Sequence, residues 1–149
     1  MKVIDKEDEK ASDLVQKMHE LIKKDISSVS IFYDVTTILE NLAKDYIIAI
    51  LSNQTSLYQK VYENSEVRRY ISFELFSHLS GIKKPNFQIY LDLCKNLKTP
   101  PSHCVMIGDN ELHDYTTPRL LGMQSFHLSR KEASSGSRIN SLDELKDWL

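Results

Sequence analysis

Apolar residues along this chain fall into two kinds of pattern. In the first they recur at helical spacing. The stretch "ASDLVQKMHELIKK" (residues 11–24) sets Leu14, Met18, Leu21 and Ile22 on one helical face, with Ser12 as its cap and Asp13 in the first turn. "TTILENLAKD" groups Ile38, Leu39 and Leu42 into a short helix, and "NFQIYLDLCKNL" carries Phe87, Ile89, Tyr90, Leu93, Cys94 and Leu97 as a longer stripe. In "DYTTPRLLG" the proline suits the first helical position behind Thr117, and Gly122 suits the end of a short helix. Ser141 and Glu144 have capping-box spacing ahead of Leu145 and Trp148.

In the second pattern the apolar residues run without a break. "YIIAIL" (46–51) and "HCVMIG" (103–108) show no period of two, which is what a strand covered on both faces requires. "SFELFS" (72–77) and "MQSFHLS" (123–129) are weaker examples, and "VSIFYDV", from Val29, is rich in β formers. "EASSGSRIN" reads as a loop. Strands alternating with helices predict a three-layer α/β/α sandwich with a mainly parallel, Rossmann-like sheet. The expected organisation is a helical segment over 1–27 followed by a core domain over 28–149.

Composition narrows the partners. A chain of 149 residues suits one core, and 19 basic against 21 acidic residues leave no net field for nucleic acid or an anionic membrane. Affinity for polyanions would need a local patch, and the pairs Arg68-Arg69 and Lys83-Lys84 are the candidates for one. "MKVIDKEDEK" lacks the apolar stretch of a signal peptide, and no run approaches the roughly 18 apolar residues of a membrane span. A cytoplasmic protein is expected, with Lys6 to Lys10 solvated. Cys94 and Cys104 sit in apolar segments without metal spacing, so they are expected as buried, reduced thiols. The five histidines show no ligand spacing.

Parallel sheets bind ligands at the carboxyl ends of their strands, and that rule selects a few residues. Ser52 and Asn53 leave the strand 46–51; Gly108 and Asp109 leave the strand 103–108, with Asp114 five positions beyond. Lys83 and Lys84 directly precede Pro85 and a helix. Singly, each has an ordinary explanation: Ser52 as a helix cap, the lysines as solvated charge, the aspartates as helix-start carboxylates favoured by the helix dipole.

Together, and in this order, they resemble the haloacid dehalogenase superfamily of hydrolases, most of whose members are magnesium-dependent phosphatases. The resemblance runs from about Tyr33 to Leu149. "YIIAILSN" is similar to the family's second motif, an apolar strand ending in Ser or Thr; "GIKKPNFQIY" to the third, with Lys84 as the functional lysine; "VMIGDNELHD" followed by "TPRLLGM" to the fourth. The resemblance implies catalytic roles for Ser52 and Lys84, phosphate contacts from Ser52, Asn53 and Lys84, and Mg²⁺ held by Asp109 directly and Asp114 directly or through water. It also implies a small phosphorylated metabolite as substrate. The chemistry suits the residue types: magnesium prefers oxygen ligands, and a hydroxyl with a lysine can hold a phosphoryl group and offset its charge.

The family's first motif, a strand ending in Asp-x-Asp whose first aspartate attacks phosphorus, has no clear counterpart. "DKEDE" (5–9) has no apolar run before it. In the family the strand carrying that motif lies between those of the second and fourth motifs. Two explanations compete. In the first, favoured on motif quality, helix 11–24 is a cap remnant, "FYDV" leads into the next helix and the catalytic aspartate is absent. In the second, "VSIFYD" fills the central position with Asp34 as nucleophile, although only 17 residues then separate Asp34 from Ser52. A gap at the centre of a sheet leaves two rows of backbone groups unpaired, so pairing with a second copy or with a complementing N-terminal fragment is expected.

Overall fold

The computed structural model describes residues 6–149, with side chains from Lys10 onward. The "DKEDE" segment and most of the Lys6 to Lys10 charge run therefore lie outside the described residues or side chains. The chain divides into two compact units, Met1–Ser30 and Ile31–Leu149.

In the first unit, helix α1 (Lys6–Ser28) is longer than the expected 11–24, so Ser12 lies inside it rather than capping it. Its stripe of Leu14, Val15, Met18 and Leu21 is solvent-exposed. No described helix is long and apolar enough to cross a membrane.

The second unit alternates helices and strands. Helix α2 (Tyr33–Leu42) precedes strand β1 (Ala49–Ser52); α3 (Ser56–Glu63) and a 3-10 segment (Glu66–Tyr70) lead to β2 (Phe73–Phe76) and the one-turn α4 (Ser77–Ser80). After α5 (Phe87–Leu97) come β3 (Val105–Gly108), a π-helical turn (Glu111–Thr116), α6 (Thr117–Leu120), β4 (Gln124–Leu128), β5 (Arg138–Ile139) and a closing 3-10 segment (Leu142–Asp147). All four principal strand expectations are met within a few residues. The β-rich "VSIFYDV" is not a strand: residues 29–32 are irregular and Tyr33 begins α2. The two-residue β5 falls inside the segment expected to be a loop.

The strands form two parallel sheets, β1-β2 and β3-β4-β5. Side chains of β3 alternate between two apolar layers, as the strand period of two requires. Cys104, leading into β3, and Met106 pack with Ile89, Tyr90, Leu93 and Cys94 of α5. Val105 and Ile107 pack with Ile38 of α2, Phe126, Ile139 and Leu145. Helical layers therefore cover both faces, giving the expected three-layer arrangement. The Ser141–Glu144 capping box is present, although the segment it starts is 3-10.

Asp34 is 1% exposed at the start of α2. Both its oxygens accept from Arg130, at 2.9 and 3.0 Å, while the Leu142 amide (2.8 Å) and the Ser141 hydroxyl (3.0 Å) also donate to it. Burial alone would raise its pKa, but the bonds from Arg130, Leu142 and Ser141 outweigh it and hold the carboxyl below the usual carboxylate range. The explanation with Asp34 as nucleophile is thereby overturned: it ends no strand, and its oxygens are committed to joining α2 to the C-terminal segment.

Both cysteines are free thiols with their sulfurs 3.8 Å apart; Cys94 is buried as expected, whereas Cys104 is only partly buried. Burial, and then the neighbouring Cys104, push the Cys94 thiol up to about 12.

Two outcomes follow. Asp34→Asn should lower unfolding free energy by roughly 2–4 kcal/mol in urea titration, below the loss from a wholly buried pair because Arg130 keeps some solvent contact. Since the folded-state pKa is depressed, this stabilisation is complete above the unfolded value and disappears as pH falls from about 4 through the folded value, so the gap between wild type and variant should close in that window. Iodoacetamide at pH 8 should leave Cys94 unmodified in the native state and alkylate it in urea, as mass spectrometry would read directly.

Candidate functional site

The carboxyl ends of β1 and β3 belong to different sheets, yet side chains tie them together at one rim. Asn53, just beyond β1, clamps the backbone of Lys84: its side-chain oxygen accepts from the Lys84 amide and its nitrogen donates to the Lys84 carbonyl, both at 2.8 Å. Lys84 is 8% exposed and its ammonium donates to Oδ1 of Asp114 at 2.5 Å. The second Asp114 oxygen accepts from the backbone amide of Asn110, just beyond β3, at 3.1 Å. The chain of contacts therefore runs from the end of β1 through Lys84 and Asp114 to the end of β3.

Local structure explains why these residues can meet. Asn110 caps the π-helical turn by accepting from the His113 amide, and that turn presents Asp114 inward, where it is 4% exposed. The Tyr90 hydroxyl of α5 donates to the His113 carbonyl at 2.5 Å, fixing the turn against the helix. Burial, and then the charge of Asp114, raise the Tyr90 pKa, keeping this donor protonated. Gly108 is obligatory for steric reasons: a Cβ there would collide with the Asp114 carboxylate.

Of the five residues expected at the site, hydrogen bonds link Asn53, Lys84 and Asp114, while Ser52 and Asp109 adjoin Asn53 and Asn110 in the chain. Lys84 and Asp114 are paired with each other. Asn53 uses its side chain to hold Lys84, leaving its backbone amide for any phosphate contact. Ser52, partly buried, and Asp109, exposed, make no side-chain hydrogen bond or ion pair among the described residues. The Asp109 carbonyl accepts from, or is approached by, His127 Nε2 at 3.0 Å, which fixes the backbone and leaves the carboxylate free. Asn110 and Tyr90 were not singled out from sequence. An Asn two places after the strand-ending glycine is a turn signal, but the hydroxyl of a residue in a helical stripe carries none.

No group of three or more acidic, histidine or cysteine side chains that could hold a metal ion is found among the described residues. Magnesium is rarely held in an all-protein cage; one or two carboxylates with substrate phosphate and water are its usual shell. Asp109 offers one unpaired carboxylate of that kind. Both Asp114 oxygens are engaged, so it suits contact through water rather than direct ligation. The donor set fits a cation shared with a bound phosphate.

A family model described as "Hydrolase: haloacid dehalogenase-like hydrolase" matches residues 3–122. A Xenopus laevis protein called haloacid dehalogenase-like hydrolase domain-containing protein 3 is 27% identical over 84 residues, 56% of this chain and 34% of that one. This chain therefore spans about a third of that relative's length. Among solved structures, a HAD phosphatase from Thermococcus onnurineus superposes with a TM-score of 0.73 at 21% identity, covering 87% of this chain and 62% of that one. A HAD family enzyme from Bacteroides thetaiotaomicron, in complex with magnesium and inorganic phosphate, gives 0.60 at 22% identity, covering 69% and 55%. These two likenesses establish the fold.

Gly108→Ala should displace the Asp114 carboxylate and separate it from Lys84. The expected loss is about 1–3 kcal/mol of unfolding free energy in urea titration, with a smaller additional loss when Asp114→Asn is combined with it than when Asp114→Asn is made alone.

Proposed function

Because the chain belongs to the haloacid dehalogenase-like hydrolase family, we propose that its second unit is the phosphoryl-binding part of a phosphatase-type hydrolase acting on a small phosphorylated metabolite with Mg²⁺. The observation that supports this reading is the contact chain Asn53–Lys84–Asp114–Asn110, which holds a buried ammonium beside the residues that follow β1 and β3, where Ser52 and Asp109 adjoin Asn53 and Asn110 in the chain. Strand carboxyl ends are where such sheets bind ligands.

Each group then has a task. The Ser52 hydroxyl and the Asn53 backbone amide donate to phosphoryl oxygens. Lys84, held in place by Asn53 and Asp114, offsets the negative charge that builds on those oxygens in the transition state. Asp114 orients the ammonium and is a positioning residue. Asp109 contributes a carboxylate ligand to the cation, which when bound would neutralise phosphoryl charge. The attacking carboxylate is not among the described residues brought to this rim, since Asp34 is buried against Arg130.

The test is isothermal titration of inorganic phosphate in the presence of Mg²⁺, beside release of p-nitrophenol from p-nitrophenyl phosphate. Wild type should bind phosphate, and Lys84→Met, shown folded by circular dichroism, should bind at least about tenfold more weakly, since a charge-assisted contact is lost. Asp109→Asn should remove the dependence of binding on Mg²⁺. The chain alone should release no p-nitrophenol above background. Equal phosphate affinity in wild type and Lys84→Met would contradict the reading.

A further inference from the structure

The apolar layer between α5 and β3 contains both cysteines of the chain. Cys94 stands near the end of α5 and is buried, whereas Cys104 leads into β3, packs against the same cluster and stays partly exposed. Their sulfurs are 3.8 Å apart, and the Cys104 sulfur also approaches the Pro100 carbonyl at 3.5 Å. The link between the two residues is short and stiff. The Thr99 amide donates to the Cys94 carbonyl at 3.0 Å, Pro100 and Pro101 follow, and the Cys104 amide donates to the Pro101 carbonyl at 2.9 Å. Packing and backbone hydrogen bonds thus hold two thiols from different elements in contact.

A disulfide needs sulfurs about 2.0 Å apart, so the contact closes by less than about 2 Å, a movement within reach of side-chain rotation at two residues. Exposure makes Cys104 the first to react. Burial pushes the Cys94 thiol up to about 12, so Cys94 keeps its proton at neutral pH and serves as the second reactant. Two inert core thiols would both be shielded from solvent. Cys104 is not.

We propose that Cys94 and Cys104 form a modification site at which hydrogen peroxide converts the two thiols into one disulfide, stapling α5 to the start of β3. The Cys104 sulfur attacks one peroxide oxygen: an S–O bond forms, the O–O bond breaks, and the departing hydroxide takes the thiol proton to leave as water. The Cys94 sulfur then attacks the Cys104 sulfur. The S–S bond forms, the S–O bond breaks, and the departing hydroxide takes the Cys94 proton to leave as a second water. The two thiols give up two electrons and the peroxide accepts them. The staple joins two elements that also reach the rim, since Tyr90 lies one turn before Cys94 on α5 and Asp109 follows the far end of β3. Because the folded chain already holds the sulfurs together, the bond restricts the unfolded chain more than the folded one.

The test treats the reduced, dilute chain with stoichiometric hydrogen peroxide, blocks remaining thiols with iodoacetamide in urea, and digests with trypsin in the absence of reductant. Cleavage after Lys95 and Lys98 separates the two cysteine peptides, so an internal disulfide reads as a cross-linked pair lighter by two hydrogen atoms than its sum. Wild type should give this pair from a monomer, and dithiothreitol should abolish it. Cys94→Ser should carry Cys104 on to sulfinic acid, and Cys104→Ser should leave Cys94 a thiol. The oxidised wild type should unfold with a midpoint at least about 3 °C above that of the reduced chain. Unmodified thiols in wild type, sulfinic acid at Cys104 beside a free Cys94, or disulfides only between chains would each overturn the proposal. An oxidised midpoint at or below the reduced one would overturn the staple, and oxidation of Cys94 in Cys104→Ser would overturn the order of attack. Where circular dichroism shows a variant unfolded, the wild-type peptide map and midpoint decide alone.

Discussion

Two sheets that share no backbone ladder among the described residues are joined, beyond the carboxyl ends of β1 and β3, by a buried ion pair. Removing an ammonium and a carboxylate from water costs several kcal/mol for each ion, and only close contact with full hydrogen bonding offsets that cost. The Lys84–Asp114 pair is in close contact at 2.5 Å, with Asn110 donating to the remaining carboxylate oxygen. Its surroundings are arranged for it: Asn53 fixes the Lys84 backbone, Tyr90 fixes the turn bearing Asp114, and Gly108 leaves room for the carboxylate. The same contact therefore holds β1 to β3 at the rim and fixes the Lys84 ammonium there.

Asp34 and Arg130 use the same chemistry for a different end. Their bidentate pair, reinforced by Ser141 and Leu142, ties the start of α2 to the C-terminal segment. Phe32 lies against the Arg130 guanidinium at 4.0 Å, adding a cation-π contact. The buried Asp34 carboxylate directs both its oxygens at donors within the fold. Burial of an acid is thus not itself a sign of catalysis; what its oxygens face decides. Asp109, by contrast, is exposed and has no side-chain partner among the described residues.

Much of this was legible from residues alone. The unbroken apolar runs ending at Ser52 and Gly108 marked covered parallel strands, and the polar residues just after them marked the rim. Lys84 was legible only through its place between those two segments, because an isolated Lys-Lys-Pro carries no information about burial. The strand expected around Val29 to Tyr33 was misread because β propensity describes fit to a pleated, half-buried surface, and here no such surface receives it. β5 escaped because two residues pair with β4 inside a polar, glycine-containing stretch. The Asp34–Arg130 contact spans 96 positions, beyond any local pattern. The gap between β1 and β3 is expected from motif quality, since no Asp-x-Asp strand precedes them, whereas the apolar layers on either side become visible only from the packing of α2 and α5.

The claim on which the account turns is that Lys84 and Asp114 form a desolvated contact joining the ends of β1 and β3. A double-mutant cycle with Lys84→Met, Asp114→Leu and the combined variant, read by urea unfolding, measures that contact with the other losses cancelled. The account predicts a coupling energy of about 2–3 kcal/mol, the upper part of the range for residues in direct contact. A coupling below about 0.5 kcal/mol, the value for independent sites, would contradict it.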